Sequence, residues 1–113
     1  MAPSRQHSVP ASGFAGTRTI IAETPNLRVA EFALAPGEAQ PWHHHSEITD
    51  IFYCLEGRIE VDCRDPARQQ TLRPGEKGSM PVRTVHRVRN AGDGISRYLL
   101  IQGVGSYDFI REE

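Results

Sequence analysis

An all-β sandwich or barrel is the fold class that this sequence predicts, and two observations carry it. Short apolar runs alternate with turn signals at roughly eight- to twelve-residue spacing. No segment keeps a helical period of apolar residues for three turns. With 113 residues the chain makes one domain. A chain of this size buries roughly 60–70% of its unfolded surface, enough for one core without staples.

The elements follow in order. Residues 1–16, punctuated by Pro3, Pro10, Gly13 and Gly16, read as a flexible N-terminal arm, and 17–113 as the barrel domain. Strand-like runs at 17–22 and Leu27–Leu34 are split by Pro25-Asn26, and Ala35-Pro36-Gly37-Glu38 turns the chain. Residues 50–55 and 58–63 read as two strands joined by a two-residue turn at Glu56-Gly57. That hairpin would pair Cys54 with Ile59, Phe52 with Val61 and Asp50 with Cys63. One face would then hold Asp50, Phe52, Cys54, Ile59, Val61 and Cys63. The other would hold Ile51, Tyr53, Leu55, Arg58, Glu60 and Asp62. Arg64-Asp65-Pro66-Ala67 and Arg73-Pro74-Gly75-Glu76 are turns around a short strand at 69–72. Strands at 85–89 and 96–102 flank Asn90-Ala91-Gly92-Asp93-Gly94. No internal repeat or low-complexity tract interrupts this pattern.

Charge and composition exclude several function classes. Net charge is −1, and Lys and Arg are scattered, leaving no basic stripe for nucleic acid or anionic lipid. No apolar run approaches the ~18–20 residues that span a bilayer, and 1–16 lacks the apolar core of a signal peptide. Two cysteines without an export signal imply free thiols, a reducing compartment and a cytoplasmic protein. In the expected hairpin Cys54 and Cys63 stand four residues off opposition, beyond disulfide reach.

Chemistry concentrates at Trp42-His43-His44-His45-Ser46-Glu47-Ile48-Thr49-Asp50 and at Pro81-Val82-Arg83-Thr84-Val85-His86, which together hold four of the five histidines. In an extended segment alternate side chains share a face, so His43 and His45 point one way and His44 the other. Two imidazoles on one strand are half a metal site, and His86 would close it. Glu47 reads as a solvated loop residue, and Trp42 as core or interface. Cys54 and Cys63 are by default small buried hydrophobes, though a Cys63 opposite Asp50 would be placed for a functional thiol. Phe52, Cys54 and Cys63 share the face of Asp50 and are the candidate substrate-binding residues.

Read as spacings, Gly37-x5-His43-x-His45-x4-Asp50-x6-Gly57 and Gly75-x5-Pro81-x4-His86-x3-Asn90 resemble the two motifs of the cupin superfamily, specifically its small single-domain members. The resemblance covers residues 37–90. It implies a double-stranded β-helix, a jelly-roll β-barrel whose tapered interior holds one metal. Carried over, His43, His45 and His86 match the family's imidazole ligands and Asp50 its carboxylate. Asp50 stands where the family usually has Glu. One methylene shorter, it would reach a metal through water or leave that position open. Arg83 stands where the second motif often has Gly. Such a shell suits one divalent transition metal (Fe, Mn, Ni, Co, Cu or Zn), among which sequence does not choose.

The resemblance implies a metal-dependent enzyme on a small polar molecule. Its chemistry would be dioxygenase-like O₂ activation, isomerase or lyase work on a carbonyl, or decarboxylation. The other class is a non-catalytic small-molecule-binding or sensing module. Besides the ligands, Tyr53 and Tyr98 are the acid–base candidates, and no concentrated Arg cluster faces the pocket. The apolar strip of Ile51, Tyr53 and Leu55 predicts a homodimer, with the N-terminal arm placed to extend a partner's sheet edge.

Overall fold

The computed structural model describes residues 8–10, 16–103 and 109–112. Every regular element is a strand: β1 (Ser8–Pro10), β2 (Thr17–Thr24), β3 (Leu27–Leu34), β4 (His43–His44), β5 (Thr49–Glu56), β6 (Ile59–Cys63), β7 (Arg68–Leu72), β8 (Lys77–Met80), β9 (His86–Asn90), β10 (Ser96–Gly103) and β11 (Ile110–Arg111). Two sheets face each other, in the orders β1-β2-β3-β10-β5-β8 and β11-β4-β9-β6-β7, with every pairing antiparallel. This is the all-β jelly roll that the sequence predicts. Among the described residues no helix is long and apolar enough to cross a membrane.

The reading of 1–16 as an arm lies outside the described residues, apart from Gly16 and the backbone of Ser8–Pro10. That backbone pairs with β2 of its own chain. The short strand β8 had no forecast. Its four residues, Lys77-Gly78-Ser79-Met80, offer no apolar alternation to read, and it forms because β5 supplies an edge.

One expectation is overturned. β5 and β6 do not form a hairpin: β5 pairs with β10 and β8, and β6 with β9 and β7. Glu56-Gly57 carries the chain from one sheet to the other. Gly57 makes that crossing at φ +77°, where a Cβ would fall 2.3 Å from Ser96 Oγ and 2.9 Å from the Ile95 carbonyl oxygen. Both the dihedral and the space therefore demand glycine. Gly57→Ala is expected to destabilise the fold by roughly 2–4 kcal/mol, the sum of left-handed strain and overpacking, read as a lower urea midpoint.

The faces nevertheless come out as parity requires, because each strand keeps its own alternation whatever it pairs with. Asp50, Phe52 and Cys54 point inward from β5, and Ile59 and Val61 from β6, into a core shared with Phe32, Leu34, Leu72, Val88, Tyr98 and Leu100. Phe32 stacks on Tyr98 at 5.3 Å. Cys54 and Cys63 are free thiols, now on strands of different sheets. Asn90 ties the interior to a loop. Its amide donates to the Leu34 and Gly94 carbonyls at 2.9 and 2.8 Å, and its oxygen accepts from Gly92 N and Ser96 Oγ, each at 2.8 Å.

The two outer faces differ in character. On the five-stranded sheet, Arg87 pairs with Asp62 at 3.1 Å and Arg89 with Glu60 at 2.8 Å. On the six-stranded sheet, Ile101 lies between Val29 and Ile51 in register, and Leu99 beside Tyr53. The charged neighbours assigned to Ile51, Tyr53 and Leu55 from sequence therefore belong to the other sheet.

Candidate metal centre

The inner end of the barrel is built from both sheets. β4 supplies His43, the residue after it supplies His45, β9 begins with His86, and β5 supplies Asp50. His43 and His86 are register partners. All four side chains are buried, and one donor atom from each lies within 4.8 Å of the others. His44 points away, half-buried, with Nδ1 3.0 Å from Glu112 Oε2. Glu47 is exposed. Trp42 is half-buried outside the cavity, its ring beneath the guanidiniums of Arg64 and Arg87 at 4.3 and 4.6 Å.

Hydrogen bonds dictate which nitrogens face inward. His43 Nδ1 donates to the Pro41 carbonyl and His86 Nδ1 to the Thr84 carbonyl, both at 2.7 Å. A carbonyl only accepts, so each Nδ1 carries the hydrogen, and a neutral ring then presents a lone pair at Nε2. His86 Nε2 sits 2.9 Å from Asp50 Oδ2, and His45 Nε2 sits 3.2 Å from the same oxygen. An acceptor nitrogen facing a carboxylate at that distance is repulsive unless a cation or an extra proton lies between them.

The spacing fits a metal. Bonds of ~2.0–2.2 Å meeting near a right angle put neighbouring donors about 3 Å apart. The backbone carbonyls behind His43 and His86 are the outer partners that orient imidazole ligands in metalloproteins. Gln102, opposite Asp50 in register, donates to Asp50 Oδ1 at 3.0 Å and holds the carboxylate in place.

The electrostatics agree with a neutral His43 beside an ionised Asp50. Burial, reinforced by the neighbouring His86, pushes His43 down to about 3. Burial alone would raise the Asp50 carboxyl. The close approach of His45 and His86 outweighs it and holds Asp50 below the usual carboxylate range, a pull that requires a proton or a cation at the facing nitrogens. Burial pushes the Tyr98 phenol up, so it stays protonated.

Around the donors lies a cavity lined by Arg28, Phe32, Gln40, Phe52, Val88, Tyr98, Leu100, Gln102 and Phe109. Of the three expected substrate-binding residues, Phe52 lines it and the two cysteines do not. Cys54 Sγ lies against the Glu56 and Gly57 carbonyls at 3.7 and 3.8 Å, and burial raises its pKa, so it is an inert core thiol. Cys63 is opposite His86 and Arg68, not Asp50, and its Sγ contacts the Pro66 carbonyl at 3.5 Å. The failed hairpin explains the place of Cys63, since Asp50 faces Gln102 and Met80 instead.

Sequence reading missed Gln102, Gln40, Arg28 and Phe109. Gln102 left one trace: it shares the parity of Tyr98 and Leu100 on an apolar inner face. Tyr98, whose direction parity alone did not settle, points inward and receives a hydrogen bond from Gln40 at 3.3 Å. Arg83 takes φ +58°, the left-handed region that glycine enters freely, and this accounts for the glycine usual at that motif position.

Comparison with known proteins assigns the family. The cupin domain family matches residues 30–102. The chain belongs to the cupins. Germin-like protein subfamily 2 member 1 of Arabidopsis thaliana is 30% identical over 73 residues, 62% of this chain and 33% of that protein. The polyketide synthase CurC of Streptomyces cyaneus is 34% identical over 64 residues, 57% of this chain and 40% of that protein. The chain thus spans about a third of the length of its germin-like relatives. Among solved structures, the polyketide cyclase RemF from Streptomyces resistomycificus superposes with a TM-score of 0.81 at 18% identity, covering 100% of this chain and 84% of that one. At that identity the likeness concerns the cupin fold alone.

Proposed function

We propose that this cupin is a metal-dependent enzyme acting on a small polar molecule, with one divalent transition metal held by His43, His45, His86 and Asp50. The observation that carries the reading is the buried meeting of three imidazoles with one carboxylate, two of the rings locked with Nε2 inward. A metal in such a shell supplies Lewis-acid polarisation of a bound oxygen or, if redox-active, O₂ chemistry.

The rest of the lining narrows the reaction class. Tyr98 is protonated, Gln40 and Gln102 are neutral, and Arg28 is a cation paired with Glu23 at 2.8 Å. Among the described lining residues the one carboxylate is Asp50. Among the described lining residues the hydrogen-bond donors suit dioxygenase-like or carbonyl-polarising chemistry, and an isomerase or lyase route would draw its base from the donor set itself. The similarity to a polyketide synthase puts enolisable ketones first among substrates to try. The second reading, a non-catalytic sensing cupin, draws on one observation: the cavity is small, about 20 Å³.

The test is elemental analysis of untagged protein after anaerobic reconstitution with Fe(II), Mn, Ni, Co, Cu or Zn, followed by turnover and O₂ consumption across a panel of small ketones, acids and thiols. One ion per chain and turnover support the enzyme. One ion without turnover supports the sensor. No stoichiometric ion defeats the metal centre.

We also propose a cytoplasmic homodimer that buries the strip of Ile51, Tyr53 and Leu55 on the outer face of the six-stranded sheet, where Ile51 and Leu55 are 36% and 43% exposed. Ile51→Asp or Tyr53→Asp should shift the light-scattering mass toward the monomer while metal stoichiometry stays unchanged. A monomeric wild type would sink this proposal, and a dimer surviving both substitutions would place the interface elsewhere.

A further inference from the structure

The cavity and one side chain above it do not match in permanence. About 20 Å³ of free space holds roughly one water, so any larger ligand reaches the donors only by displacing a side chain. Phe32, Phe52, Val88, Tyr98 and Leu100 are at least nine-tenths buried in the core. Two lining side chains are half-buried, Arg28 and Phe109. Arg28 is tied to Glu23. Phe109 lies on the imidazoles themselves, stacked on His43 with centroids 4.3 Å apart and planes 24° apart, and edge-on to His45 at 5.9 Å.

Among the described residues, a short edge segment seats Phe109. β11 is a two-residue edge strand whose Ile110 and Arg111 pair with His44 and His43. Beyond it, Glu112 N donates to the Trp42 carbonyl at 2.9 Å, and the Glu112 carboxylate meets His44 at 3.0 Å. Ile110, between these anchors, is 39% exposed. A strand this short at a sheet edge belongs to the segments that open at small free-energy cost while the core stays folded. Among the described residues, the backbone that carries Phe109 is thus a cavity wall that runs into a two-residue strand at a sheet edge.

We propose that Phe109 is a removable plug that sets the size of ligand admitted to the imidazole cluster. Seated, it admits molecules the size of water. With β11 unpaired from β4 it swings off His43, and a substrate-sized ligand takes its place. This rests on the cavity being the functional site, but its test does not need a metal.

Metal-free protein is treated with diethyl pyrocarbonate, which acylates neutral imidazole, and each histidine is followed by peptide mass spectrometry. In the wild type, His44 should react and His43 should be protected. In Phe109→Ala, His43 should react roughly tenfold faster, the factor equivalent to losing about 1.4 kcal/mol of protection, with His44 unchanged. Phe109→Leu, which refills most of the space, should stay near the wild type. Glu112→Gln leaves the cavity lining intact and loosens the strand, so it too should expose His43, and it decides the matter if Phe109→Ala does not fold. His43 reacting at the wild-type rate in Phe109→Ala, or equally fast in the Leu and Ala variants, overturns the plug. Titration of the wild type with Co(II), read by visible absorption, separates the two readings: failure to bind Co(II) defeats the metal centre and leaves the acylation result standing.

Discussion

His43→Ala, His45→Ala and His86→Ala proteins should remain metal-free under a reconstitution expected to load one ion into each wild-type chain. Each substitution removes a donor from a shell whose remaining members cannot close around the gap, because backbone carbonyls lock His43 and His86 in place. The loss should exceed the ~10–100-fold typical of an outer-shell partner. Gln102→Ala, which frees Asp50 Oδ1 from its donor, should fall in that lesser range. Asp50→Ala should resemble the histidine variants, since Oδ2 lies as close to His86 and His45 as ligands of one ion lie to each other. A milder loss would mean that the short carboxylate acts through water. His44→Ala should bind like the wild type. Chelator competition followed by elemental analysis measures all six, and imidazole variants that load normally would remove the site from these residues.

Acid should unfold the metal-free protein earlier than its composition implies. His43 titrates at about 3 in the fold and near 6.5 in the unfolded chain. Between those values the unfolded chain binds one proton more, so stability rises with pH. That contribution is fully present above about 6.5 and is lost as pH falls toward 3, with a slope approaching about 1.4 kcal/mol per pH unit. Asp50, held low in the fold, acts in the same direction below about 4. Urea midpoints taken from pH 7.5 down to 4 should therefore slide steadily, and His43→Phe should flatten the upper part of the slide. A level wild-type profile would contradict the burial of a neutral His43.

The readable parts of this chain were those that depend on local order. Leu27–Leu34 and the strands holding Asp50 and His86 follow from apolar runs bounded by turn residues, and the inward set follows from parity, which no change of partner disturbs. The motif spacing brought His43, His45, Asp50 and His86 together across 44 residues of sequence. Pairing was not readable, because Glu56-Gly57 announces a change of direction without naming the strand that follows. β5 instead takes β10, more than 40 residues on, as Arg97↔Glu56 shows. Cys63 was misplaced for that reason alone. Phe109 reaches the cavity singly, from a segment where no spacing or alternation marks it, whereas Arg28 shares the inward parity of Phe32 and Leu34 but is disguised by its charge.

The donors belong to opposite walls of the barrel: His43 and His86 to the five-stranded sheet, Asp50 to the six-stranded one. An ion gripped by both would be a rivet through the sandwich, placed at the buried polar groups of its interior. Loading and tightening would then be one event. Binding free energy of the metal becomes folding free energy, so a cell's metal supply would govern how long the folded chain survives as well as whether its cavity can react.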